Sequence, residues 1–143
     1  MTLFTPESMF VCNLGDSRIY RFSKGEFSQI SRDHVLKSCR FGKAPLTQFL
    51  GVEETEMKLE PAIAAVPYQD RDRYLLCSDG VTDMLSDREI EEIMKLEDSI
   101  RDIAHALLTR VLDKGARDNT TIILCEVRAD NRPFKTWLLQ KKG

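Results

Sequence analysis

The pattern of hydrophobic and polar positions predicts strands in the first third of the chain. Residues 9–14 are mostly apolar, residues 17–22 alternate between apolar and polar, and residues 27–30 follow the short turn "SKGE". Alternation with a period of two is typical of half-buried strands, and glycine-containing turns commonly join such strands into hairpins. We therefore predict two successive hairpins that form a meander.

A helical spacing of apolar residues marks two helices in the second half. In the first helix, Ser86 and Glu89 have the form of a capping box, and we expect that helix to end near residues 95–97. In the second helix, apolar side chains recur from Ile100 at i+3, i+4, i+7, i+8 and i+11, and Gly115 provides a C-terminal stop. Both helices therefore have one apolar face for packing.

The other segments complete an α+β pattern. Residues 58–66 predict a strand in which Pro61 favours an edge position or a bulge, and "YLLC" at 74–77 is a short buried strand that ends in a polar loop. Residues 120–127 are rich in β-branched side chains and predict a last strand, whereas residues 31–44 have no clean period and predict a loop. We expect helices packed on a largely antiparallel sheet.

Length and composition indicate one domain. The chain has 143 residues, of which 42% are hydrophobic, and it contains no repeat or Gly/Ser linker that would divide it. We place one globular domain at residues 1–128 and a polar C-terminal tail at 129–143, where "FKTWLL" suggests a short helix or a segment that docks on a partner.

Charge and hydropathy exclude several classes of protein. Charged residues make up 31% of the chain, but the net charge is only -2, so nothing indicates a field that gathers nucleic acid or anionic lipid. No apolar run approaches the ~20 residues that span a bilayer, and the first ten residues lack a basic segment followed by an apolar one. We expect a cytoplasmic protein without a nucleic-acid or membrane partner.

Four widely separated cysteines fit the same setting. They form no Cys-x-x-Cys pair, and three of them lie inside apolar runs, where a reduced cysteine packs as a small hydrophobic residue. We therefore expect free thiols that pack in the core at Cys12, Cys39, Cys77 and Cys125.

Two aspartates occupy positions that suit metal binding. Asp79 directly follows the strand "YLLC" and Ser78, and Asp118 precedes the apolar strand that starts near Thr120. Carboxylates at strand ends can meet at one rim of a sheet, and such oxygen ligands suit magnesium or manganese better than zinc. Asp-Gly and Asp-Asn are also ordinary turn formers, so this spacing alone leaves a purely structural role open.

Three segments in order resemble signature blocks of a known family. "VCNLGDSRIYRFSKGEFSQISRDH", "RYLLCSDGVTDMLSDREIEEIM" and "GARDNTTIILCEV" are similar to consecutive blocks of the bacterial protein phosphatase 2C family, and the resemblance covers residues 9–127. The resemblance implies a partial phosphatase 2C sandwich, the C-terminal part of that fold, without its N-terminal strands and helices. It also implies a metal-dependent phosphatase that acts on phosphoserine and phosphothreonine in proteins.

The resemblance implies a metal site as well. In the family, two manganese or magnesium ions activate a bridging water that attacks phosphorus, so no protein nucleophile is needed. By resemblance, Asp79 and Asp118 are metal ligands, and Asp33 matches a position that helps bind a third ion in bacterial members. The implied cofactor is therefore manganese or magnesium, with two or three ions in a complete enzyme.

Other polar residues of the chain have structural interpretations. We expect a hydrogen-bonded or solvated His34, which could otherwise shuttle a proton, and a structural His105 beside the apolar stripe of the second predicted helix. We also expect Asp16 to cap backbone amides, Arg18 to form a structural ion pair, and Asp83 to act as a turn or cap residue.

The chain departs from the family pattern in two places. No "DGMGG"-like loop occurs, so the family's metal-bridging aspartate and its phosphate-holding arginine have no counterpart here. The segment between His34 and Leu46 is shorter than the family's flap, which affects substrate gating and the third ion. We expect the chain alone to be inactive or nearly so, and to form a homodimer through an exposed sheet edge.

Three functions remain open on the sequence. The first is a fragment of a phosphatase whose substrates are phosphoproteins of a serine/threonine kinase pathway. The second is a non-catalytic, phosphatase-like module that binds a protein. The third is a phosphatase of sigma-factor regulators, which shares the Asp-Gly chemistry but fits "GDSRIYRF" less well.

Overall fold

The computed structural model describes residues 1–36, 44–53 and 55–128, together with the backbone of residues 135–141. Within these residues the chain forms eight strands and three helices. In chain order they are β1 (Thr2–Phe4), β2 (Met9–Asn13), β3 (Arg18–Ser23), β4 (Glu26–Gln29), β5 (Ala62–Val66), β6 (Arg73–Cys77), α1 (Asp79–Thr82), α2 (Asp87–Met94), α3 (Ile100–Asp113), β7 (Thr120–Glu126) and β8 (Lys135–Lys141).

The described strands form two antiparallel sheets. A three-stranded sheet has the order β1-β2-β5, and a five-stranded sheet has the order β4-β3-β6-β7-β8. The expected α+β class with a largely antiparallel sheet is confirmed. The edge position expected from Pro61 is also confirmed, because β5 begins directly after this proline and lies at one edge of the smaller sheet.

The predicted meander is wrong, because β2 and β3 lie in different sheets. The turn between them carries the chain from one sheet to the other, and Gly15 adopts a left-handed φ of 101° there. Asn13 holds this crossing in place by donating a hydrogen bond from Nδ2 to the Arg32 carbonyl oxygen at 2.8 Å. The second predicted hairpin is confirmed: β3 and β4 are joined by Lys24 and Gly25, with φ of 50° and 85°.

The larger sheet lies between two apolar clusters. On one face, Leu75 and Leu124 pack with the helices through Ile103 and Leu107. On the opposite face, Tyr74 packs in a second cluster with Met9 and Val11 of the smaller sheet. Adjacent residues of one strand, such as Tyr74 and Leu75, therefore serve different clusters, and the layers run from helices to larger sheet to smaller sheet.

The two predicted helices are confirmed, together with the predicted capping box of the first and the glycine after the second. At the start of α2 the capping box between Ser86 and Glu89 is complete, and the helix ends at Met94, one residue before the expected range. Before α3 the Ser99 side chain accepts a hydrogen bond from the Asp102 backbone. The left-handed Gly115, with φ of 102°, follows α3 as expected. Helix α1 has only four residues, too few to give a periodic signal in the sequence.

The C-terminal segment differs from its prediction. The predicted short helix is wrong, because residues 135–141 form β8, which pairs antiparallel with β7 along its whole length. Pairing satisfies the backbone groups that β7 would otherwise expose as an edge strand. Residues 129–134 lie outside the described part of the chain.

Two other predictions concern the loop and the cysteines. Part of the predicted loop, residues 37–43 with Cys39, lies outside the described residues, and the flanking chain forms a bridge between Val35 and Leu46. Cys12, Cys77 and Cys125 are free thiols as expected, and burial raises the pKa of Cys77 to about 12.

Among the described helices, none is long and apolar enough to cross a membrane.

Candidate metal-binding site

The two aspartate motifs meet because their strands are neighbours. Strand β6 ends at Cys77 and β7 begins at Thr120, and the antiparallel register pairs Cys77 with Ile122. The residues that follow β6 and the residues that precede β7 therefore share one rim of the larger sheet. This arrangement agrees with the expectation that Asp79 and Asp118 lie at converging strand ends.

Ser78 fastens the two motifs to each other. Its backbone N–H donates to the Thr121 carbonyl oxygen at 3.1 Å, and its Oγ accepts a hydrogen bond from the Thr121 N–H at 3.1 Å. The same hydroxyl donates to the Asn119 carbonyl oxygen at 3.2 Å. Three hydrogen bonds from one residue thus fix the backbone on which Asp79 is carried relative to the backbone that carries Asp118.

Gly80 allows the closest backbone approach between the motifs. A Cβ atom at this position would lie 2.3 Å from the Asn119 carbonyl oxygen and 3.1 Å from Thr120 Oγ1. Only glycine leaves room for this contact without a backbone shift. Thr120 Oγ1 also donates to the Gly80 carbonyl oxygen at 3.4 Å, so the Asp-Gly pair has a specific packing reason beyond turn formation.

A surface pocket of about 350 Å³ opens beside this junction and is lined by Gly80, Asp83, Met84, Arg117 and Asp118. The Asp118 side chain is exposed, and its Oδ1 accepts a hydrogen bond from the Asn119 N–H at 2.6 Å. Asp79 is half-buried at the first position of α1. The junction therefore presents two carboxylates on a rigid backbone, one of them facing an open pocket.

The donor chemistry suits manganese or magnesium but supplies only part of a coordination shell. Carboxylate oxygens are hard ligands of the kind that both ions prefer. Within the described residues, however, no group of three or more His, Cys, Asp or Glu side chains is arranged to hold a metal ion. The residues present therefore fit a partial site, and Asp79 and Asp118 would provide its carboxylates.

Asp33 lies in a different environment. Its Oδ2 accepts a hydrogen bond from Arg18 Nε at 2.8 Å, and its Oδ1 accepts one from Gln29 Nε2 at 2.7 Å. It lines a separate cavity of about 540 Å³ with His34. Both oxygens are thus held by protein donors, and the structure does not bring Asp33 into the pocket that Asp118 lines. A role in binding a third ion stays a prediction.

Four other polar residues for which the sequence suggested a structural role have the following surroundings. Arg18 forms the expected ion pair, with Asp33 at 2.8 Å, and Asp83 is the C-cap of α1 as expected. His34 is hydrogen-bonded, since its Nδ1 accepts from the Gly15 N–H at 3.3 Å. His105 lies exposed on α3.

Two residues of the site were not predicted from the sequence. Ser78 joins the two motifs through its hydrogen bonds. The side chain of Arg117 shares the pocket with Asp118. Their positions directly before the two aspartates were the available signals.

The sequence of this chain is similar to those of known phosphatases. The sequence profile of the family described as protein phosphatase 2C matches residues 1–119. The serine/threonine phosphatase stp of Listeria welshimeri is 33% identical to this chain in an alignment that covers 87% of this chain and 54% of the Listeria protein. The chain thus spans about half the length of this relative.

Solved structures of two phosphatases have a fold similar to that of this chain. The serine/threonine phosphatase Stp1 of Staphylococcus aureus superimposes with a TM-score of 0.78 at 26% identity, covering 90% of this chain and 55% of that one. The catalytic domain of the phosphatase PstP, solved with two manganese ions, gives a TM-score of 0.72 at 28% identity, covering 89% and 56%. Since the family profile matches most of its length, this chain belongs to the protein phosphatase 2C family.

Proposed function

We propose that this chain carries part of the active site of a metal-dependent phosphatase that acts on phosphoserine and phosphothreonine in proteins. The observation that carries the proposal is the junction between the Asp79 and Asp118 motifs, where Gly80 lies in backbone contact with Asn119. A turn-forming role alone would not require this close approach of two separate turns. A cation site that depends on precise carboxylate placement would require it.

In the proposed reaction, ions held by the Asp79 and Asp118 carboxylates and by the missing bridging ligand would supply a water of lowered pKa and would neutralise charge on the phosphoryl oxygens. The chain's own contribution is to hold the carboxylates of Asp79 and Asp118 at one rim, with Ser78 and Gly80 fixing their backbones. The 143 residues contain no "DGMGG"-like loop. We therefore expect two close carboxylates without the bridging ligand to bind at most one cation weakly.

The proposed substrates and setting follow from the relatives. Those named above are serine/threonine phosphatases, and one was solved with two manganese ions. We propose phosphoproteins as substrates, a serine/threonine kinase as the enzyme that opposes this one, and the cytoplasm as the location. Manganese or magnesium is the proposed cofactor.

Complementation tests the catalytic proposal. The 143-residue chain is mixed with, or fused behind, an N-terminal segment of a family member that contains the "DGMGG" loop, and hydrolysis of a phosphothreonine peptide is measured with manganese. We expect hydrolysis that the chain alone lacks, and loss of at least a hundredfold in rate, about 2.7 kcal/mol, in Asp79→Asn and Asp118→Asn versions.

The matched control is Asp113→Asn, an exposed aspartate at the end of α3 that lies outside the pocket. Its rate should equal that of the unsubstituted protein. If the Asp79→Asn version were as active as the Asp113→Asn version, the assignment of the site would be wrong.

A non-catalytic binding module is the second candidate. It is favoured by the absence, within the described residues, of a group of three metal-ligating side chains. Such a module would bind its partner without manganese, and Asp79→Asn and Asp118→Asn would leave the affinity unchanged. A pull-down from lysate in the presence of a chelator, repeated with both variants, separates the two functions.

A further inference from the structure

Arg117 is a cationic side chain in an otherwise acidic pocket. It lines the 350 Å³ pocket together with Asp83 and Asp118. Arg117 is exposed, and among the described residues its guanidinium forms no ion pair or hydrogen bond with another side chain. Three other arginines, Arg18, Arg21 and Arg73, are paired with acidic partners.

The placement of Arg117 has an electrostatic cost for cation binding. A guanidinium stays protonated at any working pH, so it repels a divalent cation held by the neighbouring Asp118 carboxylate. The Arg117 guanidinium and a cation held by Asp118 would therefore repel each other when no anion is present. An anion placed between the guanidinium and the cation would be attracted by both.

We propose that Arg117 is a phosphate-binding residue of this site. A phosphoryl group would lie between the guanidinium of Arg117 and a cation held by Asp118, which rests on the proposed function of the Asp79 and Asp118 junction. The planar fork of arginine donors matches phosphoryl oxygens and can bind two of them at once. The pocket provides room for such a group, and Gly80 and Met84 form its remaining lining.

Thermodynamic linkage gives this inference a direct signature. If phosphate lies between Arg117 and the cation and is attracted by both, phosphate and the cation each strengthen the binding of the other by the same factor. We expect inorganic phosphate to strengthen manganese binding about tenfold, which corresponds to about 1.4 kcal/mol. Without Arg117, manganese alone should bind more tightly and should gain little from phosphate.

The experiment measures free manganese by electron paramagnetic resonance in solutions of the 143-residue chain, with and without inorganic phosphate. Arg117→Gln should bind manganese more tightly than the unsubstituted chain when phosphate is absent, and the gain from phosphate should fall below twofold. Arg117→Lys keeps the charge but loses the two-pronged donor, so it should keep the repulsion and lose most of the phosphate gain.

The control is Arg88→Gln, which removes the same charge from an exposed arginine of α2 that pairs with Glu92 at 3.1 Å. It should keep the full effect of phosphate. An equal phosphate effect in the Arg117→Gln and unsubstituted chains would overturn the role of Arg117 while leaving the metal site intact. If the unsubstituted chain bound no manganese, the proposed metal site would fail, and the inference that rests on it would fail too.

Discussion

At the residue scale, Gly80 places the strongest steric demand on the site. A Cβ atom there would lie 2.3 Å from the backbone oxygen of Asn119, whereas a Cβ atom at Gly25 would meet nothing within 4 Å. We predict that Gly80→Ala lowers the free energy of unfolding by about 1 to 3 kcal/mol through overpacking. Gly25→Ala, the control, should cost only the left-handed backbone penalty of about 1 kcal/mol.

Urea titrations of both variants, together with manganese binding, check this prediction. A shift of the backbone at Gly80 moves Asp79 relative to Asp118, so Gly80→Ala should also weaken manganese binding, whereas Gly25→Ala should not. Equal manganese binding by the two variants would show that the close approach has no part in cation binding.

Asp72 is the most deeply buried acidic residue among those described, with 1% of its surface exposed. Its Oδ2 accepts hydrogen bonds from Arg21 Nη2 at 2.7 Å and from the Tyr74 hydroxyl at 3.2 Å. Burial raises the pKa of Asp72, but hydrogen bonds from Ser23 and Arg21 outweigh it and leave the pKa lowered. The carboxylate therefore stays charged and holds the positions of both partners.

We predict that Asp72→Asn destabilises the protein by about 2 to 3 kcal/mol, because it leaves the Arg21 charge without its partner. The matched control is Asp70→Asn, whose carboxylate is exposed and lies 3.9 Å from Arg71, and it should cost less than about 1 kcal/mol. Thermal unfolding of the two variants tests this prediction, and a similar loss of stability in both would contradict it.

At the element scale, Glu89 joins two helices. It belongs to the capping box of α2, and its carboxylate also lies 2.7 Å from Lys114 Nζ at the end of α3. The hydrogen bond from Lys114, followed by those from Ser86, lowers the pKa of Glu89 from 4.5 to about 2. A carboxylate with a lowered pKa in the folded state stabilises the fold above its ordinary pKa, and this contribution is lost as pH falls.

We predict that the stability contributed by Glu89 is complete above pH 4.5 and disappears as the pH falls towards about 2. Glu89→Gln should therefore flatten the pH dependence of the unfolding midpoint in this range. The control Glu92→Gln removes an exposed carboxylate that pairs with Arg88 within α2 alone, and it should leave the dependence nearly unchanged. Chemical unfolding from pH 2 to pH 6 provides the measurement.

Elements with local signals were predicted correctly from the sequence, and those defined by distant contacts were not. The cap at Ser86, the stop at Gly115 and the β3–β4 turn depend on neighbouring residues, so their patterns are complete in the sequence. The assignment of β2 to a separate sheet depends on its pairing with β5, about fifty residues away. Strand β8 depends on β7 in the same way.

The candidate site shows the same division. Placing Asp79 and Asp118 at strand ends needed only the apolar runs beside them. The contact of Gly80 with Asn119, and the sharing of one pocket by Arg117 and Asp118, depend on β6 and β7 being neighbours, which no local pattern encodes.

At the scale of the whole molecule, the outer face of the smaller sheet is apolar and open. Leu3, Phe10 and Ile63 share this face, because Leu3 pairs with Phe10 in register and Ile63 pairs with Cys12 next along β2. Their exposed fractions are 57%, 43% and 69%. A contiguous apolar face of this kind promotes association. The sequence led us to expect a homodimer through an exposed sheet edge, and we propose this apolar face as a second surface for association.

We predict that the chain self-associates and that Ile63→Lys shifts it towards the monomer, because a charge on this face must be desolvated in the dimer. The control Leu50→Lys changes a leucine that is 78% exposed outside this face, and it should leave association unchanged. Sedimentation velocity over a range of concentrations distinguishes the variants. A monodisperse monomer at every concentration would be inconsistent with a role for this face.

The most direct test of the central claim is a calorimetric titration of the 143-residue chain with manganese. If Asp79 and Asp118 form half of a metal site, the chain should bind one manganese ion weakly, and Asp79→Asn and Asp118→Asn should each abolish the signal while Asp113→Asn preserves it. Tight binding at two sites, or undiminished binding by the Asp79→Asn and Asp118→Asn chains, would contradict the account.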